Sequence, residues 1–99
     1  MDNEKKELAP LMKKAAECFK DFGHTPIWSS ENYTDELGTF CEEMIEKILN
    51  DTISLEEKKK LYRIFAPTCD WDDSVGNIDL GNEIFTLLDK MYRNEVLNK

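Results

Sequence analysis

The sequence predicts an all-α fold, a compact bundle of about four helices with an acidic loop before the last helix. Three segments repeat apolar residues every three or four positions, which gives a helix one apolar face. A fourth, shorter segment begins with the capping box Ser54-Leu55-Glu56-Glu57 and ends before Pro67. The 99 residues suffice for one domain with a small core, so we assign residues 1–99 to a single helical domain.

The first predicted helix covers residues 8–22. Pro10 is compatible with a helix only in its first turn, so residues 1–7 are expected to be frayed. Gly23 follows the segment and is a typical residue for ending a helix. The apolar face consists of Leu8, Leu11, Met12, Ala15, Ala16, Phe19 and Phe22.

Residues 23–33 show no apolar period and are predicted to form a connecting loop. Ile27 and Trp28 are expected to fix this loop to the core, since an aromatic side chain in a loop usually anchors it. His24 is the only histidine of the chain. No carboxylate or hydroxyl lies at a recognisable offset from it, so we interpret it as a loop residue and not as a catalytic base.

The other helices are predicted at residues 34–50, 55–65 and 79–96. Thr34 is the expected N-cap of the second helix, and Asn77 or Asp79 that of the last. If these bounds hold, six large apolar residues should pack against one another in the core: Phe19, Phe40, Ile45, Leu61, Phe85 and Leu88.

The chain is strongly acidic, with 21 acidic and 13 basic residues and a formal net charge of −8. This balance argues against direct binding of nucleic acid, which depends on Lys and Arg that neutralise phosphates. An anionic membrane surface would repel the chain for the same reason. A basic protein is therefore the partner that the charge favours, although acidity also serves solubility alone.

The acidic loop before the last helix carries the most unusual composition, Asp70-Trp71-Asp72-Asp73. Two interpretations remain open. In one, Trp71 is a partner contact surrounded by carboxylates, as tryptophan often is at the centre of an interface. In the other, Trp71 covers the end of the bundle, while the three Asp residues cap a helix end and keep the loop soluble. Under the first, the partner-binding residues would be Asp70, Trp71, Asp72, Asp73, Asp79, Glu42, Glu43 and Glu46.

No catalytic or metal site can be read from the chain. An EF-hand requires Gly at loop position 6 and Glu at position 12, but counting from Asp70 places Val75 and Gly81 there. One histidine and three scattered cysteines do not form a zinc motif, and no Gly-rich phosphate loop is present. We therefore expect a protein that is not an enzyme, with no catalytic residue, metal or cofactor.

The cysteines Cys18, Cys41 and Cys69 are odd in number and widely spaced, so they are predicted to be free thiols. Cys69 is expected to be the easiest to modify because it lies in the acidic loop. The first residues form no apolar signal segment, and no apolar run approaches the length of a membrane span. Together these observations predict a cytoplasmic protein.

The segment Phe65-Ala66-Pro67, the acidic loop after it and the helix around Ile84 to Leu88 resemble the small, acidic, all-helical immunity proteins of bacteria. These proteins neutralise colicins and contact-dependent toxins, and the type that blocks transfer-RNA-cleaving toxins is the most similar in character. The resemblance implies a four-helix domain that covers the active site of a cognate basic toxin, such as a nuclease, with carboxylates. The alternative is a small helical adaptor or structural subunit with no inhibitory role. The sequence does not define an oligomeric state.

Overall fold

The computed structural model describes residues 2–28, 30–67 and 69–97 and consists of α-helices joined by short loops. In chain order these are α1 (Asp2–Asp21), α2 (Thr34–Leu49), α3 (Leu55–Phe65), α4 (Asp70–Asp73) and α5 (Ile78–Leu97). Helix α1 packs along α2, and α5 lies against both α1 and α3. Within the described ranges, one isolated bridge between Pro26 and Tyr33 is the sole β-type pairing. The predicted all-α bundle is confirmed.

Helix α1 begins at Asp2, so the predicted start at residue 8 was wrong, while fraying of residues 1–7 stays a prediction; residue 1 lies outside the described part. Pro10 lies in the middle of the helix and not in its first turn. It is exposed, so the carbonyl that loses its intrahelical partner can bond to water. Leu8, two residues before the proline, is fully buried, and Lys5 pairs with Asp51 at 2.6 Å. These contacts offset the cost of an interior proline.

Helices α2 and α3 follow the predicted bounds within one residue. The N-cap of α2 is Tyr33 and not Thr34, whose hydroxyl instead donates to the Gly23 carbonyl at 2.5 Å. The capping box of α3 is confirmed, since Glu57 N donates to Ser54 Oγ at 3.1 Å and Ser54 N to Glu57 Oε1 at 2.9 Å. Lys47 also donates to the Glu57 carboxylate, and this bond above all holds the pKa of Glu57 below its usual value.

The predicted core is correct in part. Phe19, Leu61 and Leu88 are fully buried, whereas Phe40, Ile45 and Phe85 are only partly buried at its edge. The Phe40 ring lies under the Lys60 ammonium, 4.3 Å from its centroid, and the Phe85 ring meets Tyr62 edge to face at 4.7 Å. The largest fully buried side chain among the described residues is that of Trp71.

The predicted acidic loop contains the single-turn helix α4, followed by a turn through Gly76 in a left-handed conformation with φ of 74°. Helix α5 then starts at Ile78, one residue before the predicted start. Asn77 is its cap, because its side-chain oxygen accepts from Leu80 N at 3.2 Å. Trp71 and Asn77 thus lie at the two ends of this turn, and Trp71 Nε1 donates to the Asn77 carbonyl at 2.8 Å.

Gly81 in the first turns of α5 provides the space for the Trp71 ring. A Cβ atom at this position would lie 2.5 Å from both Cδ1 and Nε1 of the indole. Alanine normally favours a helix over glycine by about 1 kcal/mol. We expect the reverse for Gly81→Ala, a net loss of about 1–2 kcal/mol in the free energy of unfolding, because overpacking a core costs about 1–3 kcal/mol.

Urea denaturation measures this loss, and Asn82→Ala at the exposed next position of α5 is the control. The control should be neutral or slightly stabilising. A Gly81→Ala protein as stable as the wild type would show that the close approach of Trp71 to α5 is wrong.

Candidate functional site

Trp71, the residue proposed from sequence as the centre of a binding face, is fully buried. Its ring meets Phe19 edge to face at a centroid distance of 5.2 Å and lies 5.4 Å from the Phe65 ring. The indole N–H donates to a backbone carbonyl, so the whole side chain can leave water without an unpaired polar group. Its assignment as a partner contact was wrong: Trp71 belongs to the core.

Asp70 is also withdrawn from the surface, with 7% of its area exposed. Its carboxylate accepts a hydrogen bond from Asn32 Nδ2 at 2.7 Å, and its backbone carbonyl accepts from Ser74 Oγ at 2.7 Å. Its prediction as a direct partner contact is therefore corrected as well. Asp72 is exposed and Asp73 half-buried on the same helical turn, while Asp79 is exposed at the start of α5.

The acids predicted on α2, namely Glu42, Glu43 and Glu46, are all exposed. Glu42 pairs with Lys20 at 2.6 Å, and Lys13 lines the same shallow depression as the three glutamates. Helix α2 packs on α1, whereas α4, which carries other predicted acids, lies against α3 and α5. Their role as partner contacts stays a prediction, as it does for Asp72, Asp73 and Asp79.

Trp28 is the functional candidate that sequence reasoning missed. It was expected to anchor the connecting loop in the core, but 81% of its surface is exposed. Ile27, the other expected anchor, is 2% exposed and fulfils that role. The chain turns tightly here, since the Ile27 carbonyl accepts from Ser30 N at 3.2 Å and from Glu31 N at 2.9 Å. We call Ile27, Trp28, Ser30 and Glu31 the Trp28 turn; Ser29 lies outside the described part and is not included.

The loop that carries the Trp28 turn is held on both sides. Thr34 N donates to the Thr25 carbonyl at 2.9 Å, next to the Pro26–Tyr33 bridge. The His24 ring stacks on Tyr33, with a centroid distance of 3.9 Å and the planes 1° from parallel. His24 Nδ1 also lies 3.0 Å from the Asp35 carboxylate, a partner that the sequence pattern did not indicate. Trp28 is therefore displayed on a closed, hydrogen-bonded loop.

Glu31 closes the Trp28 turn in the left-handed region, at φ of 67°. This conformation is uncommon for a residue other than glycine and costs of the order of 1 kcal/mol or more. Its carboxylate forms no ion pair with any other residue that the structure describes. The turn thus combines one exposed aromatic ring with one free negative charge.

A half-open cleft of about 560 Å³ lies beside the turn, between the connecting loop, α3 and α4. It contains two cationic side chains, one buried carboxylate and one thiol, and is lined by Ser30, Asn32, Lys60, Arg63, Ile64, Cys69 and Asp70. Burial, with the neighbouring carboxylates of α4, raises the pKa of the Cys69 thiol, so this group is protonated at neutral pH and a weak nucleophile.

All three cysteines are free thiols, as predicted. Cys41 is fully buried, and burial raises the pKa of its thiol to about 12. Cys18 and Cys69 are both partly exposed, and burial raises the pKa of each. In the part of the chain that the structure covers, no three His, Cys, Asp or Glu side chains are grouped as metal ligands.

No protein-family model matches this chain, and no curated protein or solved structure matches it either. None of the described helices combines the length and the apolar character that crossing a membrane would require.

Proposed function

We propose that this protein is an acidic protein-binding module, and that it acts as an immunity protein that inhibits a cognate basic bacterial toxin. In this proposal the Trp28 turn inserts its indole into the toxin surface and, with the Glu31 carboxylate, covers the toxin's active site. A nuclease is a fitting target, because its active site is lined with cations that bind phosphate, and carboxylates can pair with the same cations.

The observation that carries the proposal is the exposure of Trp28, 81% of its surface, on a turn fixed by backbone hydrogen bonds. A tryptophan side chain that stays in water contributes no free energy from burial of its large apolar surface. Trp71 obtains this contribution in the core, whereas Trp28 does not. Tryptophan is enriched among the residues that dominate binding energy at protein interfaces. Backbone hydrogen bonds close the turn before it meets a partner, which lowers the entropy cost of binding.

The charge of the chain supports one kind of partner. The net charge of −8 and the free Glu31 carboxylate beside Trp28 favour a basic protein. The wider field would come from exposed or half-buried acids elsewhere on the surface, which supply steering and not a packed contact. These are Asp72, Asp73, Asp79, Glu42, Glu43 and Glu46.

The cytoplasm is the proposed compartment. The three cysteines are unpaired thiols, and a reducing compartment keeps them so. An immunity protein acts inside the cell that it protects, where an incoming or newly made toxin would meet its substrate.

The test is to pair the protein with a toxin encoded by the reading frame next to its gene. Co-expression should restore growth that the toxin alone arrests, and the purified proteins should form a stable complex. The association rate should fall steeply as salt rises from about 0.05 M to about 0.5 M, because exposed charges steer the encounter. Growth arrest that persists despite folded protein would refute the inhibitory role.

The second candidate function is that of an adaptor or structural subunit, and the half-open cleft beside the turn, which contains Lys60 and Arg63, favours it as a place for another binding partner. Affinity capture from the native host separates the two. One basic partner, displaced by an excess of purified toxin, supports the immunity role. Several unrelated partners that toxin does not displace would favour the adaptor.

A further inference from the structure

We infer that the hydrogen bond between Asn32 and Asp70 positions the Trp28 turn for its partner. Asn32 Nδ2 donates to Asp70 Oδ2 at 2.7 Å and joins two segments that are 38 positions apart in the chain. Among the residues that the structure describes, this hydrogen bond ties the connecting loop to α4. The acidic segment around Asp70, which the sequence suggests as a binding surface, therefore supports the Trp28 turn, and the turn makes the proposed contact with the partner.

The α4 end of this link is firmly fixed. Asp70 precedes Trp71, whose buried ring packs on Phe19 and Phe65 and bonds to the Asn77 carbonyl. Ser74 Oγ further fastens the Asp70 backbone. Because Asp70 is 7% exposed, its carboxylate is largely removed from water and requires a donor, which Asn32 supplies. A charge-assisted bond of this kind is stronger than a neutral one.

The loop end of the link is the Trp28 turn itself. The backbone carbonyl of Asn32 accepts from Ile27 N at 2.7 Å, so the same residue closes the turn with its main chain and ties it down with its side chain. Ile27, next to Trp28, is buried. Movement of Asn32 away from Asp70 would therefore loosen the base of the turn and release the orientation of the Trp28 ring.

This inference rests on the proposed function for what the turn binds, but not for how the turn is held. The first measurement therefore needs no partner. Asn32→Ala removes the donor, and amide hydrogen exchange followed by NMR should become about tenfold faster at Ser30 and Glu31, the two donors of the turn. The amide of Leu88 in the core of α5 is the internal control and should keep its rate.

The decisive variant exchanges the two partners, Asn32→Asp together with Asp70→Asn, which rebuilds the bond with its polarity reversed. We expect exchange at Ser30 and Glu31 to return to within about threefold of the wild-type rate. If either side chain mattered for another reason than this hydrogen bond, the exchanged pair would not restore slow amide exchange, since neither original side chain is present. The inference is overturned if Asn32→Ala leaves the two amides unaffected, or if the exchanged pair remains as fast as Asn32→Ala.

The second measurement is affinity for the purified cognate toxin, which tests positioning. Asn32→Ala should weaken binding about tenfold through faster dissociation, and the exchanged pair should recover most of this loss. Loss of turn protection with unchanged affinity for the toxin overturns the positioning role. If the wild-type protein itself fails to bind the toxin, the proposed function falls, and the exchange rates alone decide whether the link holds the turn.

Discussion

Trp71→Ala is expected to lower the free energy of unfolding by about 4–5 kcal/mol, the upper range for truncating a buried aromatic residue. The indole is fully buried, contacts two phenylalanine rings and satisfies the Asn77 carbonyl. Truncation therefore removes apolar burial, leaves a cavity and orphans an acceptor at once. Since a small domain has about 5–15 kcal/mol in total, much of the protein should be unfolded at 37 °C.

Urea denaturation followed by circular dichroism measures the effect. Trp71→Phe separates its components, because it retains most of the apolar volume but not the N–H donor, and should lose about 1–3 kcal/mol. Trp28→Ala removes the same side chain from the surface and is the matched control, with a change within about 0.5 kcal/mol. If Trp71→Ala has the same urea midpoint of unfolding as the wild-type protein, the buried position of Trp71 is incorrect.

Helix positions followed from the sequence wherever local signals agreed. For α3, the Ser54 and Glu57 capping box and the stop before Pro67 mark both ends, and the observed helix, Leu55–Phe65, has the predicted bounds. The start of α1 was misplaced because Pro10 normally ends or begins a helix. Its tolerance depends on tertiary contacts of the residues around it, including the Lys5–Asp51 pair, whose members are 46 positions apart.

The two tryptophans mark the limit of sequence reasoning about the site. Trp71 stands among carboxylates, which suggests the surface, yet it is buried because Gly81, ten residues later, leaves room for its ring. Trp28 follows Ile27 in an uncharged stretch, which suggests burial, yet it is exposed. Their positions depend on contacts between distant segments, such as Asn32 with Asp70, and a local pattern contains no information about these contacts.

Trp28→Ala is expected to weaken binding to the cognate basic toxin by about 30-fold or more, since truncation of an interface hot spot costs about 2 kcal/mol or more. The loss should appear mainly as faster dissociation, because an apolar anchor contributes after encounter. The dependence of the association rate on salt should remain, since the charged side chains are unchanged. Surface plasmon resonance over a series of salt concentrations measures both rates.

Two controls make this result specific to the Trp28 turn. Leu97→Ala truncates another exposed apolar residue, 58% exposed at the end of α5, and should leave the affinity for the toxin unchanged. Glu31→Gly removes the charge beside Trp28 while relieving the left-handed backbone of residue 31, so association should slow without loss of stability. Wild-type affinity in Trp28→Ala would exclude the turn as the anchor. The anchor would then lie among the exposed carboxylates Glu42, Glu43 and Glu46, which line one shallow depression of α2.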